Sequence, residues 1–143
     1  MGSVASRIVV GVDGSPGSDA ALRWAADHAP AFGAGLVAVH CWTPPLAGEE
    51  QLPEPEAAAL ERDFAAVLDA AVARAAASAP DVPVERVLSR GDPAEVLTDL
   101  ATGAELLVLG SRGTSGHTGV VLGSVSRRCT DRATCPVVIV PTP

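Results

Sequence analysis

Three glycines and a serine in the last third of the chain are the residues best suited to chemistry. Gly110-Ser111-Arg112-Gly113 is followed, after nine residues, by Gly123-Ser124. The apolar run Leu106-Leu107-Val108-Leu109 precedes the set, and a helix-like stretch from Ser124 to Arg132 follows it. A strand that ends in glycines and reopens as a helix presents a row of bare backbone N–H groups. With the partial positive charge of the helix N-terminus they make a cradle for an anion, above all a phosphate. Glycine suits such a loop because a side chain would block the phosphate oxygens and because tight turns use positive φ. A second polar turn, Asp13-Gly14-Ser15, closes the apolar run Arg7–Val12. Asp13 is placed either to bond a ribose hydroxyl or to hold a divalent ion such as Mg²⁺ on the phosphates.

Composition removes several competing chemistries. All ten basic residues are Arg and there is no Lys. A Walker-type loop, a kinase-type lysine and lysine Schiff-base chemistry are therefore excluded. Cys41, Cys129 and Cys135 form no C-x-x-C pair; they read as small buried hydrophobes in a reducing cytosol. The three His are too scattered for a metal site. A formal charge of -7 disfavours nucleic acid and anionic membranes as partners. No apolar run approaches the length of a membrane span, and the start of the chain carries no signal-peptide pattern.

The elements that must position these residues alternate. Arg7–Val12 reads as a buried strand. A helix capped by Ser18 runs to about Ala31, and Leu36–Cys41 is a second strand. Trp42–Pro55 reads as a long loop, rich in Pro, Gly and Glu. From Glu56 to about Ser78, Leu60, Phe64, Val67, Leu68, Ala71, Val72 and Ala75 recur at helical period. Val84–Leu88 is a short strand. Asp92-Pro93-Ala94-Glu95 starts a helix that ends near Gly103. Glu105–Leu109 leads into the glycine loop, and Val137–Val140 is the last strand. The order βαβαβαβαβ implies a parallel sheet with helices on both faces. In 143 residues this is one domain with a sizeable core. Ligands of such sheets bind beyond the strand carboxyl ends. If the first and fourth strands are neighbours, the Asp13 turn and the glycine loop share one crevice, and the end of the second strand, Val39-His40, offers a backbone edge to a base.

Three elements together resemble the universal stress proteins of the ATP-binding type: Ile8-Val-Val-Gly-Val-Asp-Gly-Ser15, the loop G-x2-G-x9-G-[ST], and Leu122-Gly-Ser-Val-Ser126 followed by Cys135-Pro-Val-Val-Ile-Val140. The resemblance covers essentially the whole chain. It implies an α/β fold: one three-layer, Rossmann-like α/β/α domain whose five-stranded parallel sheet has the order 3-2-1-4-5. It also implies ATP in the crevice and a cytoplasmic regulatory role rather than efficient catalysis. Carried over by position, Asp13 would hold ribose or metal, with Gly11 beside it. Val39 would meet the adenine through its backbone. Gly110, Gly113 and Gly116 would line the phosphates, with Ser111 and Arg112 between them. Gly123, Ser124 and Val125 would bind the far end. Val137–Val140, otherwise either an interior strand or an aggregation-prone edge, would pair two copies into a dimer. Rival readings are a slow ATP-hydrolysing or nucleotidyl-transferring enzyme on the same fold (a nucleotidyl-transferase or ATP pyrophosphatase would need a loop such as S-G-G-x-D-S after the first strand, which is missing) and an interaction module with an empty crevice.

Overall fold

The alternation of side chains along the first strand decides which helices cover which side of the sheet. Ile8 and Val10 are fully buried on one face and Val9 on the other. The computed structural model describes residues 6–44, 46–47, 50–112 and 122–142. Strand β1 (Ser6–Gly11) leads to α1 (Pro16–Phe32), β2 (Ala34–Trp42), the short β3 (Leu46–Ala47) and β4 (Glu50–Gln51), and α2 (Glu54–Ala76). Then follow β5 (Val84–Arg90), α3 (Pro93–Leu100), β6 (Leu106–Gly110), α4 (Ser124–Arg132) and β7 (Val137–Val140).

Five strands form a parallel sheet in the order β5-β2-β1-β6-β7, which is 3-2-1-4-5 when the two short strands are set aside. Ile8, Val10, Leu36, Ala38, Leu106 and Val108 pack against α1 and α2 residues such as Leu22, Ala25, Leu68 and Val72. Val9, Val37, Val39, Leu107 and Leu109 pack against Ala94, Leu97 and Cys129 of α3 and α4. The small Ala faces of α1 and α2 let helix and sheet approach closely.

Local sequence accounts for the helix ends, with one correction. Ser15, not Ser18, caps α1: its side chain accepts the Ser18 N–H at 3.2 Å, and Pro16 takes the first helical position. Ser18 lies inside the first turn, buried, with its hydroxyl donating to the Ser15 carbonyl. Gly33 ends the helix at φ 60°, a left-handed conformation that glycine adopts without strain. Asp92 caps α3, accepting the Glu95 N–H at 3.1 Å.

The expected loop from Trp42 to Pro55 is shorter than the sequence suggests. β2 runs on to Trp42, two antiparallel pairs join β3 to β4, and α2 starts at Glu54 with Pro55 in its first turn, where a missing N–H costs nothing. β5 likewise continues to Arg90, in register with Trp42. Along α2, Val67 departs from the expected apolar stripe and is exposed. β7 is an edge strand, half-buried along its length and paired on one side with β6, rather than an interior strand.

Candidate functional site

Because β1 and β6 are neighbours, the turns that leave their carboxyl ends meet. The contact is tight. A Cβ on Gly110 would lie 2.8 Å from the carbonyl carbon and oxygen of Gly17, and one on Gly17 would lie 2.9 Å from the Arg112 carbonyl oxygen. Glycine at 110 is thus required by the approach of two backbones. Positive φ is not the reason, since among the described residues only Gly14, Gly33, Gly91 and Gly103 adopt it. Gly11 is similarly enclosed: a Cβ there would meet Leu109 at 2.8 Å and Leu97 at 3.2 Å.

The β1–α1 turn is held by its own side chains. Asp13 Oδ1 accepts the Ser15 N–H at 2.9 Å, and the Asp13 N–H donates to Ser18 Oγ at 3.2 Å. On the β6 side, the Ser111 N–H donates to the Val140 carbonyl at 3.1 Å, and the Ser111 carbonyl accepts the Gly123 N–H at 2.6 Å. These bonds tie the two ends of the glycine loop together. Gly113 and Gly116, expected at the phosphates, lie outside the described residues.

α4 begins differently from α1 and α3. Its N-cap residue is Gly123, and among the described residues no side chain caps it. Ser124, expected at the start of this helix, is its first residue. Ser126 does not cap either: its hydroxyl donates to the Gly110 carbonyl at 2.6 Å. Among the described residues, the first N–H groups of α4 therefore have no side-chain acceptor of the kind that Ser15 and Asp92 provide elsewhere. They open onto a cleft of about 630 Å³ whose wall includes Gly123, Ser124, Val125 and Ser126. Gly11, Asp13, Val39, Gly110 and Arg112 line the same cleft. Of the expected site residues that are described, Ser111 alone is absent from this wall; it anchors the loop instead. Asp13 and Arg112 are the carboxylate and guanidinium of the described lining.

The backbone edge expected at Val39 is committed to the sheet. The Val39 carbonyl accepts the Val12 N–H at 2.8 Å. Along β2 the polar groups alternate: Trp42 accepts the Gly91 N–H from the β5 side, and Leu36 donates to Pro83 on that same side. Odd-numbered residues therefore face β1. Cys41 is the first of them beyond the end of β1, so its N–H and C=O are the backbone edge turned toward the cleft. The Cys41 thiol is pushed up to about 11, mainly by burial, with Cys129 and Asp92 adding to the effect. Cys129 is likewise pushed up to about 11 by burial. Both stay protonated and inert at neutral pH, as small hydrophobes would, although Cys41 and Cys135 are half-buried rather than fully buried.

Sequence reasoning did not assign the side chains of His40, Trp42 and Phe64 to the site, yet all three line it. The signal was present in β2, where period-two alternation puts His40 and Trp42 on one face. On the opposite rim, Arg128 makes two bonds to the Asp92 carboxylate, at 2.9 and 2.7 Å, and so joins α4 to the cap of α3. The Arg128 guanidinium, with the Glu95 N–H, holds the Asp92 carboxyl below its ordinary value.

Among the described residues no helix is long and apolar enough to cross a membrane, and no group of three or more His, Cys, Asp or Glu is gathered for a metal. Comparison with known proteins agrees with the fold. The Universal stress protein family model matches residues 5–141. A universal stress protein of Mycolicibacterium smegmatis is 39% identical over 140 residues, covering 93% of this chain and 45% of the relative. One from Mycobacterium tuberculosis H37Rv is 38% identical over 132 residues, covering 92% of this chain and 44% of the relative. The chain thus spans about half the length of these relatives. Among solved structures, a universal stress protein in complex with cAMP superposes with TM-score 0.74 at 31% identity, covering 99% of this chain and 100% of the other. The Archaeoglobus fulgidus universal stress protein in complex with dAMP gives TM-score 0.71 at 25% identity, covering 96% of this chain and 98% of the other. The chain belongs to the universal stress protein family.

Proposed function

We propose that this chain is one nucleotide-binding domain, residues 1–143, that takes an adenine nucleotide, ATP in the first instance, into the cleft between the ends of β1 and β6. The observation that carries the reading is the N-terminus of α4, which has glycine instead of a capping side chain and opens beside Asp13. An anion seated there supplies the missing acceptors and meets the positive end of the helix dipole. The phosphates lie along Gly110, Ser111, Arg112, Gly113 and Gly116, and end on Gly123, Ser124 and Val125. Asp13 holds the ribose or a Mg²⁺ ion on the phosphates. Mg²⁺ takes most of its ligands from phosphate and water, so one carboxylate suffices. The backbone of Cys41 replaces that of Val39 at the base. The two relatives solved with cAMP and dAMP support the nucleotide class.

The nucleotide acts as a ligand more than as a substrate. Phosphoryl transfer needs concentrated positive charge on the departing phosphate. The chain has no Lys, and Arg112 is the one Arg between 110 and 126. Turnover, if measured, is slow. In this reading the protein is a cytoplasmic regulator that dimerises by pairing β7 of two copies, which removes an exposed strand edge.

Native mass spectrometry of the freshly purified protein identifies any retained nucleotide. Calorimetry with ATP, AMP and cAMP, with and without Mg²⁺, ranks them. Binding that is lost in Asp13→Ala supports the site. Absence of binding at millimolar nucleotide refutes it, and an ordinary ATPase turnover refutes the ligand role.

A further inference from the structure

The pairing of β1 with β2 stops one rung short of what the two strands could make. The Val12 N–H donates to the Val39 carbonyl at 2.8 Å. In a parallel ladder each strand gives and takes at alternate residues, so the next rung is the Cys41 N–H on the Val12 carbonyl. Among the described residues that rung is not made, and the register ends with Gly11 opposite Val39. β2 itself continues to Trp42, so the partner strand is present. A side chain has taken the acceptor instead: His40 Nδ1 lies 2.6 Å from the Val12 carbonyl oxygen.

That contact fixes the state of the ring. A carbonyl only accepts, so Nδ1 carries the proton and donates. His40 and Val12 are both buried, and Phe64 of α2 packs on the imidazole with ring centroids 5.1 Å apart. The other ring nitrogen, Nε2, is buried without a partner among the described residues, as is Trp42 Nε1. A buried polar atom left unpaired is destabilising, so the polar contribution of this ring is the single bond at Nδ1. One residue beyond Val12 the chain leaves the sheet. Asp13 is held in that turn by its Oδ1, which accepts the Ser15 N–H at 2.9 Å, and by its own N–H, which donates to Ser18 Oγ at 3.2 Å. With the Cys41 N–H on the Val12 carbonyl, β1 would run on beside β2 and draw Asp13 away from Ser15 and Ser18.

We propose that His40 is the positioning residue of the Asp13 carboxylate: by occupying the Val12 carbonyl it ends the β1–β2 ladder and turns Asp13 into the cleft. The ring acts through the backbone of Val12 and not by contact with a ligand. The assignment rests on the nucleotide reading above, in which Asp13 holds the ribose or a Mg²⁺ ion, and deepens it by naming what aims that carboxylate.

Two variants separate the donor from the ring. His40→Phe keeps a ring against Phe64 and deletes the donor. His40→Asn keeps an N–H in place of Nδ1 and deletes the ring. Amide hydrogen exchange of the ligand-free protein, followed by NMR, reads the ladder itself. In His40→Phe the Cys41 N–H should gain protection and the Ser15 N–H should lose it, each by about tenfold, the value of one hydrogen bond. Calorimetry with ATP and Mg²⁺ should find affinity lowered about tenfold in His40→Phe and within about threefold of the wild type in His40→Asn. A role confined to packing gives the reverse order, with His40→Asn impaired and His40→Phe intact, and that order overturns the assignment. Faster exchange at both amides, or no change at either, overturns it as well. Should the buried substitutions prevent folding, the wild type decides: its imidazole nitrogen chemical shifts must show Nδ1 protonated and Nε2 not, and the opposite tautomer overturns the assignment. If the wild type binds no nucleotide while the two amides shift as expected, the nucleotide reading fails and the control of the turn by His40 stands. If it binds and the amides do not shift, the nucleotide reading stands and this assignment fails.

Discussion

A carboxylate placed at the start of α4 should stabilise the protein and disable it together. Gly123 sits at φ -72° and ψ 169°, a backbone conformation open to any residue and the usual one for an N-cap. Gly123→Asp therefore introduces a capping side chain without backbone strain. The cap gains a few tenths of a kcal/mol over glycine, and the charge at the helix N-terminus adds about 0.3–1 kcal/mol. The sum, about 1 kcal/mol, raises Tm by about 2–4 °C for a domain of this size. The same carboxylate occupies the N–H groups meant for the anion and repels it. Two unit charges about 5 Å apart at an effective dielectric constant of about 20 interact by about 3 kcal/mol, which is a hundredfold or more in Kd. Differential scanning calorimetry of the ligand-free protein reads the first effect, and titration with AMP reads the second. Gly123→Asn is the control, because it caps without charge and should lose much less affinity. A Gly123→Asp variant that melts higher and still binds AMP as the wild type does would refute the assignment of this helix end to the phosphates.

Three further outcomes follow from the geometry. Gly110→Ala drives a methyl into the Gly17 backbone at 2.8 Å; relief requires a shift of the chain, and urea unfolding should show a loss of about 1–3 kcal/mol. The Asp92 carboxyl is held low by Arg128, so its contribution is present above its unfolded value of about 3.9 and is lost as pH falls through its lower folded value. Asp92→Asn should accordingly flatten the fall in Tm below pH 4, and an unchanged acid profile would show the pair to be inert. Alternation along β7 turns the Val140 carbonyl toward Ser111 of the β6 side and the Ile139 N–H outward; Ile139→Pro removes an edge donor without breaking that ladder, and on the proposed pairing of two β7 strands light scattering should find a dimeric wild type and a monomeric variant.

The strands were readable because Ile8–Val10, Leu36–Val39 and Leu106–Leu109 are short β-branched or aliphatic runs punctuated by glycine and proline, whereas their order in the sheet was implied by the resemblance to the universal stress proteins. What escaped the sequence was decided by three-dimensional approach. Ser15 and Ser18 are both good caps, and Pro16 between them settles the choice once helix geometry is imposed. Val39 and Cys41 are equivalent by alternation; the length of β1 selects Cys41. Gly110 and Gly17 are distant in sequence, so their mutual contact has no local signature. The side chains of His40 and Trp42 were not assigned to the cleft because an unpartnered nitrogen is a property of surroundings, not of spacing.

The cleft is stitched together from segments almost a hundred residues apart, joined where Ile8 pairs with Leu106. Neither half exists as a site until the chain has closed on itself. Any ligand bridging the two turns therefore binds the folded form alone, and at a hundredfold excess over its Kd contributes about 2.7 kcal/mol to folding. A nucleotide bound there would act as a fastener between these two distant segments, so the resistance of the domain to degradation, and hence its steady-state amount, would follow the supply of that nucleotide.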